Sequence, residues 1–172
     1  MGAGGRLVTQ IPTADKSAEY GDKATSDNMR ALQYMAELES VLYDALRKPG
    51  ISVQRAGTDV VVILVRDAIM ELNVADISQT GADTLETVAR ILKKYDATFV
   101  EIAGYTDAIG TDAAMAMSTD MARRTGVLLS QRGVNPVRMF IVARGASRPI
   151  AAQDDMGRLT NRRVELRIVP AR

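Results

Sequence analysis

The chain has 172 residues, 47% of them hydrophobic, with 22 Lys and Arg against 21 Asp and Glu. That suits one packed domain plus an extension, and the near-zero net charge gives no case for a nucleic-acid partner. It contains no cysteine and no histidine, which excludes disulfides, thiolate chemistry, the usual zinc sites and every catalytic arrangement built on histidine.

In chain order, Met1-Gly2-Ala3-Gly4-Gly5 reads as a scar left by processing. Residues 1–25 mix Gly, Pro12, Thr, Ser and charges without periodicity, so a flexible lead is expected there. As a coil it would reach roughly 25–30 Å. No signal peptide opens the chain, so any export sequence is expected to have been removed before Met1. No apolar run approaches the roughly 20 residues that a bilayer span needs. From Ser26 the pattern changes: Met29, Leu32, Met35, Leu38, Leu42 and Ala45 recur at helical spacing. Ser26 or Asp27 can cap this helix, and Arg47-Lys48-Pro49-Gly50 stops it, giving an amphipathic segment at 26–50. Its apolar face packs either on its own domain or on a partner.

The remainder, 51–172, reads as the main domain. Ile51 to Arg55 alternates briefly, and Gly57-Thr58-Asp59 resembles a hairpin turn. Val60 to Val65 is a β-branched run that fits a strand buried on both faces. A loop around Ile69, Met70 and Leu72 follows. A helix from Ser78 or Thr80 then buries Leu85, Val88, Ala89, Leu92 and Tyr95, with Lys93 and Lys94 suiting the C-terminal end of its dipole.

Thr98 to Gly104 is the second strong strand, and it delivers Thr106 and Asp107 into a turn bounded by Gly104 and Gly110. Ser118 can cap a third helix whose inner face uses Ala122, Thr125 and Leu129 and which stops at Arg132-Gly133. Asn135-Pro136 turns the chain into a strand at Arg138 to Ala143. A loop at Gly145 to Gly157 leads to a last strand, Arg162 to Val169, where Val164, Leu166 and Ile168 mark the buried face. This order predicts an α+β, two-layer sandwich, its helices packed on a mixed four-stranded sheet, with an extra N-terminal helix.

Five pieces of this sequence, in this order, resemble the OmpA-like C-terminal domain: Gly104-Tyr105-Thr106-Asp107-Ala108-Ile109-Gly110, Met117-Ser118, Gly133-Val134, Gly145-Ala146-Ser147-Arg148-Pro149 and Asn161-Arg162-Arg163-Val164-Glu165. The resemblance covers about residues 57–170. It implies non-covalent binding of peptidoglycan on the periplasmic side of a Gram-negative outer membrane, without enzymatic activity, cofactor or metal. In that family the aspartate of the Thr-Asp pair and an arginine on the following helix bind the diaminopimelate of the stem peptide. Such a side chain ends in an amino and a carboxylate group, so one anion and one cation at fixed separation suit it through charge-assisted hydrogen bonds. The resemblance therefore places Thr106 and Asp107 at the ligand, with Asp107 receiving the ammonium. The alternative role of Asp107 is a turn cap. Asn161 and Arg162 are implied as further contacts, with Arg163 pairing elsewhere; the alternative is salt bridging to Glu101 or Glu165. Glu71 stays unassigned.

One position departs. Aligned on Ser118 and Ala122, Met121 stands where the family carries its arginine. Arg123 is turned from residue 121 by about 200° on a helix, whereas Arg124 lies one turn on along nearly the same face and is the geometric replacement. A lost hydrogen bond to a charged partner costs about 1.5–3 kcal/mol, or roughly ten- to a hundredfold in affinity. Two readings follow. In one, the chain is the wall-binding part of an outer-membrane lipoprotein, anchored by a group outside this chain and tethered by residues 1–25. In the other, it is a structural subunit of an envelope-spanning machine, a secretion system or motor, with a degenerate wall site and helix 26–48 docked on the envelope protein complex. An enzyme would need carboxylate or Ser-Lys pairs, and no spacing suggests either.

Overall fold

The computed structural model describes residues 13–72, 76–106, 111–145 and 161–171. Five strands form one sheet: β1 (Ile51–Ala56), β2 (Asp59–Val65), β3 (Thr98–Tyr105), β4 (Met139–Gly145) and β5 (Arg163–Pro170), in the order β1-β2-β5-β3-β4. Only β3 and β4 run parallel; the other neighbours are antiparallel. The class is the expected α+β sandwich on a mixed sheet, but the sheet has five strands where the sequence suggested four. The added strand is Ile51–Ala56, joined to β2 by a turn in which Gly57 takes a φ of 64°, as tight hairpins ask of glycine. It is an edge strand with only half-buried and exposed residues, so its apolar signal was thin.

The core follows the register. Val62, Leu166, Ile102 and Ile141 form one row across four strands; Ile141, on the edge strand β4, is exposed, while the other three are fully buried together with Val60, Leu64, Val100, Val164 and Ile168. Burial of such side chains contributes roughly 1.5–3 kcal/mol each. Helices α3 (Gln79–Lys94) and α4 (Thr111–Gln131) bury Leu85, Val88, Leu92, Ala122, Thr125 and Leu129. Between β2 and α3 lies the short α2 (Arg66–Ile69). Ser78 caps α3 by accepting from the Gly81 amide at 3.0 Å, as its residue type and place predict.

Three element boundaries differ from the sequence reading. Ser118 is not a cap: α4 starts at Thr111, and the fully buried Ser118 donates its hydroxyl to the Met115 carbonyl at 3.1 Å, the usual outlet for a serine inside a helix. Arg138 belongs to a 3-10 turn, Pro136–Arg138, ahead of β4. The first helix, α1, runs Thr13–Ala45, so residues 13–25 are helical rather than a flexible lead. Ala14, Lys16, Ala18, Glu19, Lys23 and Ala24 favour helix even without an apolar stripe.

The chain divides into two units, 1–34 and 35–172. In the first, Met29 and Leu32 are exposed. In the second, Met35, Leu38, Leu42 and Leu46 are buried, and Lys48 donates to the Thr84 hydroxyl of α3 at 3.4 Å. That end of the helix thus packs on its own domain. The chain's two phenylalanines, Phe99 and Phe140, lie outside the core with ring centroids 6.0 Å apart.

Candidate functional site

The end of the sheet where β2 and β3 finish and β5 begins gathers the polar residues that the sequence singled out. Gly104 crosses α4 there so closely that a Cβ would collide with the Ser118 carbonyl oxygen, so only glycine fits. One step past the last paired residues, Tyr105 and Arg163, stand Thr106, which is buried, and Arg162, which is half-buried. The Arg66 amide donates to the Arg162 carbonyl at 2.7 Å and ties the end of β2 to the start of β5. Asn161, just before Arg162, is 1% exposed. Asp107 lies outside the described residues, as do residues 146–160 with the Ser147-Arg148-Pro149 segment.

Arg163 holds this end together. Its guanidinium stacks 3.9 Å from the Tyr105 ring centroid, donates through Nε to Glu165 at 3.2 Å, and donates through Nη1 to the Asn161 carbonyl at 3.1 Å. It is 1% exposed, so charge, fork geometry and stacking are all used inside the fold. Glu165 is one of the two partners named from sequence; the other, Glu101, pairs with Arg144 at 2.9 Å instead. The Glu101 hydrogen bond and charge hold the Arg144 guanidinium above its ordinary range.

Met121 and Arg124 part company in the structure. Met121 is 5% exposed, in the inner face of α4. Arg124 lies in a groove of about 350 Å³ between α3 and α4, beside Ile77, Arg123 and Val127. Its Nε donates to Asp120 at 3.0 Å, and Nη1 lies 3.8 Å from Asp76. Asp120 was visible as the i,i+4 partner; Asp76, from the loop before α3, carried no such signal. With a side chain 41% exposed, these pairs are worth only tenths of a kcal/mol to about 1 kcal/mol.

The sequence reading missed Arg138. Its guanidinium donates to the carbonyls of Leu92, Tyr95 and Thr98 at 2.9, 3.2 and 2.9 Å, and to the Thr98 hydroxyl at 2.9 Å. It thereby caps α3 and fixes the root of β3. Among the described residues no cluster of acidic side chains could hold a metal ion.

Helices on a mixed sheet, with polar side chains collected at one end of its strands, define an OmpA-C-like α+β domain. The chain belongs to the OmpA family, whose sequence pattern matches residues 71–163. The probable lipoprotein YiaD of Escherichia coli is 34% identical over 139 residues, covering 80% of this chain and 64% of YiaD. The chain thus spans less than two thirds of the length of the curated relatives it matches. The crystal structure of the peptidoglycan-associated lipoprotein from Burkholderia pseudomallei superposes with a TM-score of 0.54 at 25% identity, over 59% of this chain and 87% of that one. The cell wall anchor of the T6SS from Pseudomonas aeruginosa shares the fold, with a TM-score of 0.68 at 24% identity over 77% and 96% of the two chains.

Proposed function

We propose that the chain binds peptidoglycan without covalent attachment and anchors an outer-membrane protein or envelope complex to the cell wall. The observation that carries this reading is the convergence of Thr106, Asn161 and Arg162 at one end of the sheet, in a chain of the OmpA family. Asp107, the next residue after Thr106, receives the ammonium of the stem peptide's diaminopimelate. Arg162, half-buried at the same end, is the cation placed to meet the neighbouring carboxylate, and Arg124 contributes from the helix flank. The domain works in the periplasm, tied to the outer membrane. Residues 51–172 supply the binding module. The relatives named as lipoproteins and as a cell wall anchor support this placement. It acts as a binding protein rather than an enzyme.

Pelleting with purified sacculi tests the reading. Wild-type protein is expected in the pellet, and Asp107→Ala in the supernatant. Equal pelleting of the two would remove Asp107 from the site.

A second reading is favoured by Met121, which is buried where the family pattern has arginine, and by Arg124, which is engaged by Asp120 and Asp76. In it the domain is a structural subunit of a secretion system or motor with a weak wall site, and helix 26–48 contacts the surrounding protein complex through the exposed Met29 and Leu32. Failure of the wild type to pellet selects this reading.

A further inference from the structure

A cleft of about 380 Å³ opens between the end of α1, the start of β1, α2 and the first turn of α3. Its apolar lining includes Ile51, Ala68 and Met70, and its rim carries Lys48 and Glu71. Three carboxylate or ammonium groups line it, and only one is neutralised: Asp67 pairs with Arg66 at 3.3 Å. Among the described residues the Lys48 ammonium meets the Thr84 hydroxyl alone, at 3.4 Å. The Glu71 carboxylate has no cationic partner among the described residues, and Lys48 and Glu71 do not come within the 4.0 Å of an ion pair.

Opposite charges on long side chains around one small cleft, held apart and each without an ionic partner, are complementary to a ligand that carries both signs. Ser78 and Thr80, from the start of α3, line the same cleft; the Ser78 Oγ accepts from the Gly81 amide and leaves its O–H to donate. The volume is near the lower end of the roughly 300–1,000 Å³ of small-molecule sites, which suits a single amino-acid residue.

We propose that this cleft is a second binding site, which takes the zwitterionic head group of an amino acid, the carboxylate on Lys48 and Ser78 and the ammonium on Glu71. It shares no residue with the sheet-end site, and it does not rest on the wall-binding reading. The head group comes either from free amino acids or from uncrosslinked ends of wall peptides.

The test is an amide NMR titration of the full chain with D-alanine and with meso-diaminopimelate, with N-acetyl-D-alanine amide as the neutral control. Saturable shifts are expected at Ile51, Ser78, Thr80 and Thr84 with the two zwitterions and not with the control. Lys48→Gln and Glu71→Gln, both at exposed positions, should each weaken binding about tenfold or more. A soluble uncrosslinked stem peptide distinguishes the sources: the same shifts with that peptide mark wall peptides, and their appearance with D-alanine alone marks free amino acids. No saturable shift in the wild type, or shifts that survive both substitutions, would overturn the proposal.

Discussion

The Arg163 guanidinium lies 3.9 Å from the centre of the Tyr105 ring, on the two strands whose ends carry the candidate wall site. Replacing it by alanine removes the stacking, the Glu165 pair and the bond to the Asn161 carbonyl together, in a place almost closed to water. Breaking a buried pair by removing one partner costs about 3–5 kcal/mol. Glu165 retains some access to solvent, so a loss of about 2–4 kcal/mol is expected for Arg163→Ala in urea unfolding. Arg163→Lys should recover only part of it, because an ammonium has no fork.

Gly104→Ala tests the crossing of β3 and α4. The obstacle is the Ser118 backbone carbonyl and not a movable side chain, so the strand or the helix must shift. Overpacking of this kind costs about 1–3 kcal/mol. Thermal unfolding should show a Tm several degrees lower, and pelleting with sacculi should fall with it, since Thr106 is only two residues away.

Arg138→Ala removes four donated hydrogen bonds from the α3–β3 junction; the Tyr95 carbonyl keeps the Thr98 hydroxyl at 2.9 Å, while the Leu92 and Thr98 carbonyls lose the guanidinium. A drop of about 1.5–3 kcal/mol in unfolding free energy is expected. Hydrogen exchange should speed up first in the last turn of α3. A uniform change across the domain would count against a local cap.

Met121→Arg restores the family residue at a position that the fold now treats as core. With 5% of Met121 exposed, the new guanidinium has to leave the inner face of α4 to reach water. We expect about 1–3 kcal/mol of lost stability by chemical denaturation. An unchanged denaturation midpoint would show that the site accepts a cation without rearrangement.

Much of the layout was legible because burial imposes a period. Val60–Val65, Thr98–Gly104 and the Val164, Leu166, Ile168 alternation each announced a strand, and the Leu85-to-Leu92 stripe announced α3. Glu165 was named from sequence as one of two possible salt-bridge carboxylates, and it reaches Arg163 because residues two apart on a strand share a face. Elements without a buried face were harder. The first two turns of α4 carry exposed Asp112, Ala113, Met115, Ala116 and Met117, so no stripe betrays them, and they are helical through continuity with the buried half. The partners of Arg138 lie 40 to 46 residues away in sequence, and no local pattern encodes a contact with backbone carbonyls. The Met121 substitution was visible as a departure, but its burial depended on how α4 is rolled against the sheet.

The stacked Tyr105 has a practical side. The chain has five tyrosines and no tryptophan, so its near-ultraviolet signal is a tyrosine signal. Tyr105 is a buried member of that set, enclosed beneath a cation and one residue from Thr106. An occupant at the strand end that displaces Arg163 alters the ring's surroundings, and the protein then carries its own unlabelled optical reporter for that end of the sheet.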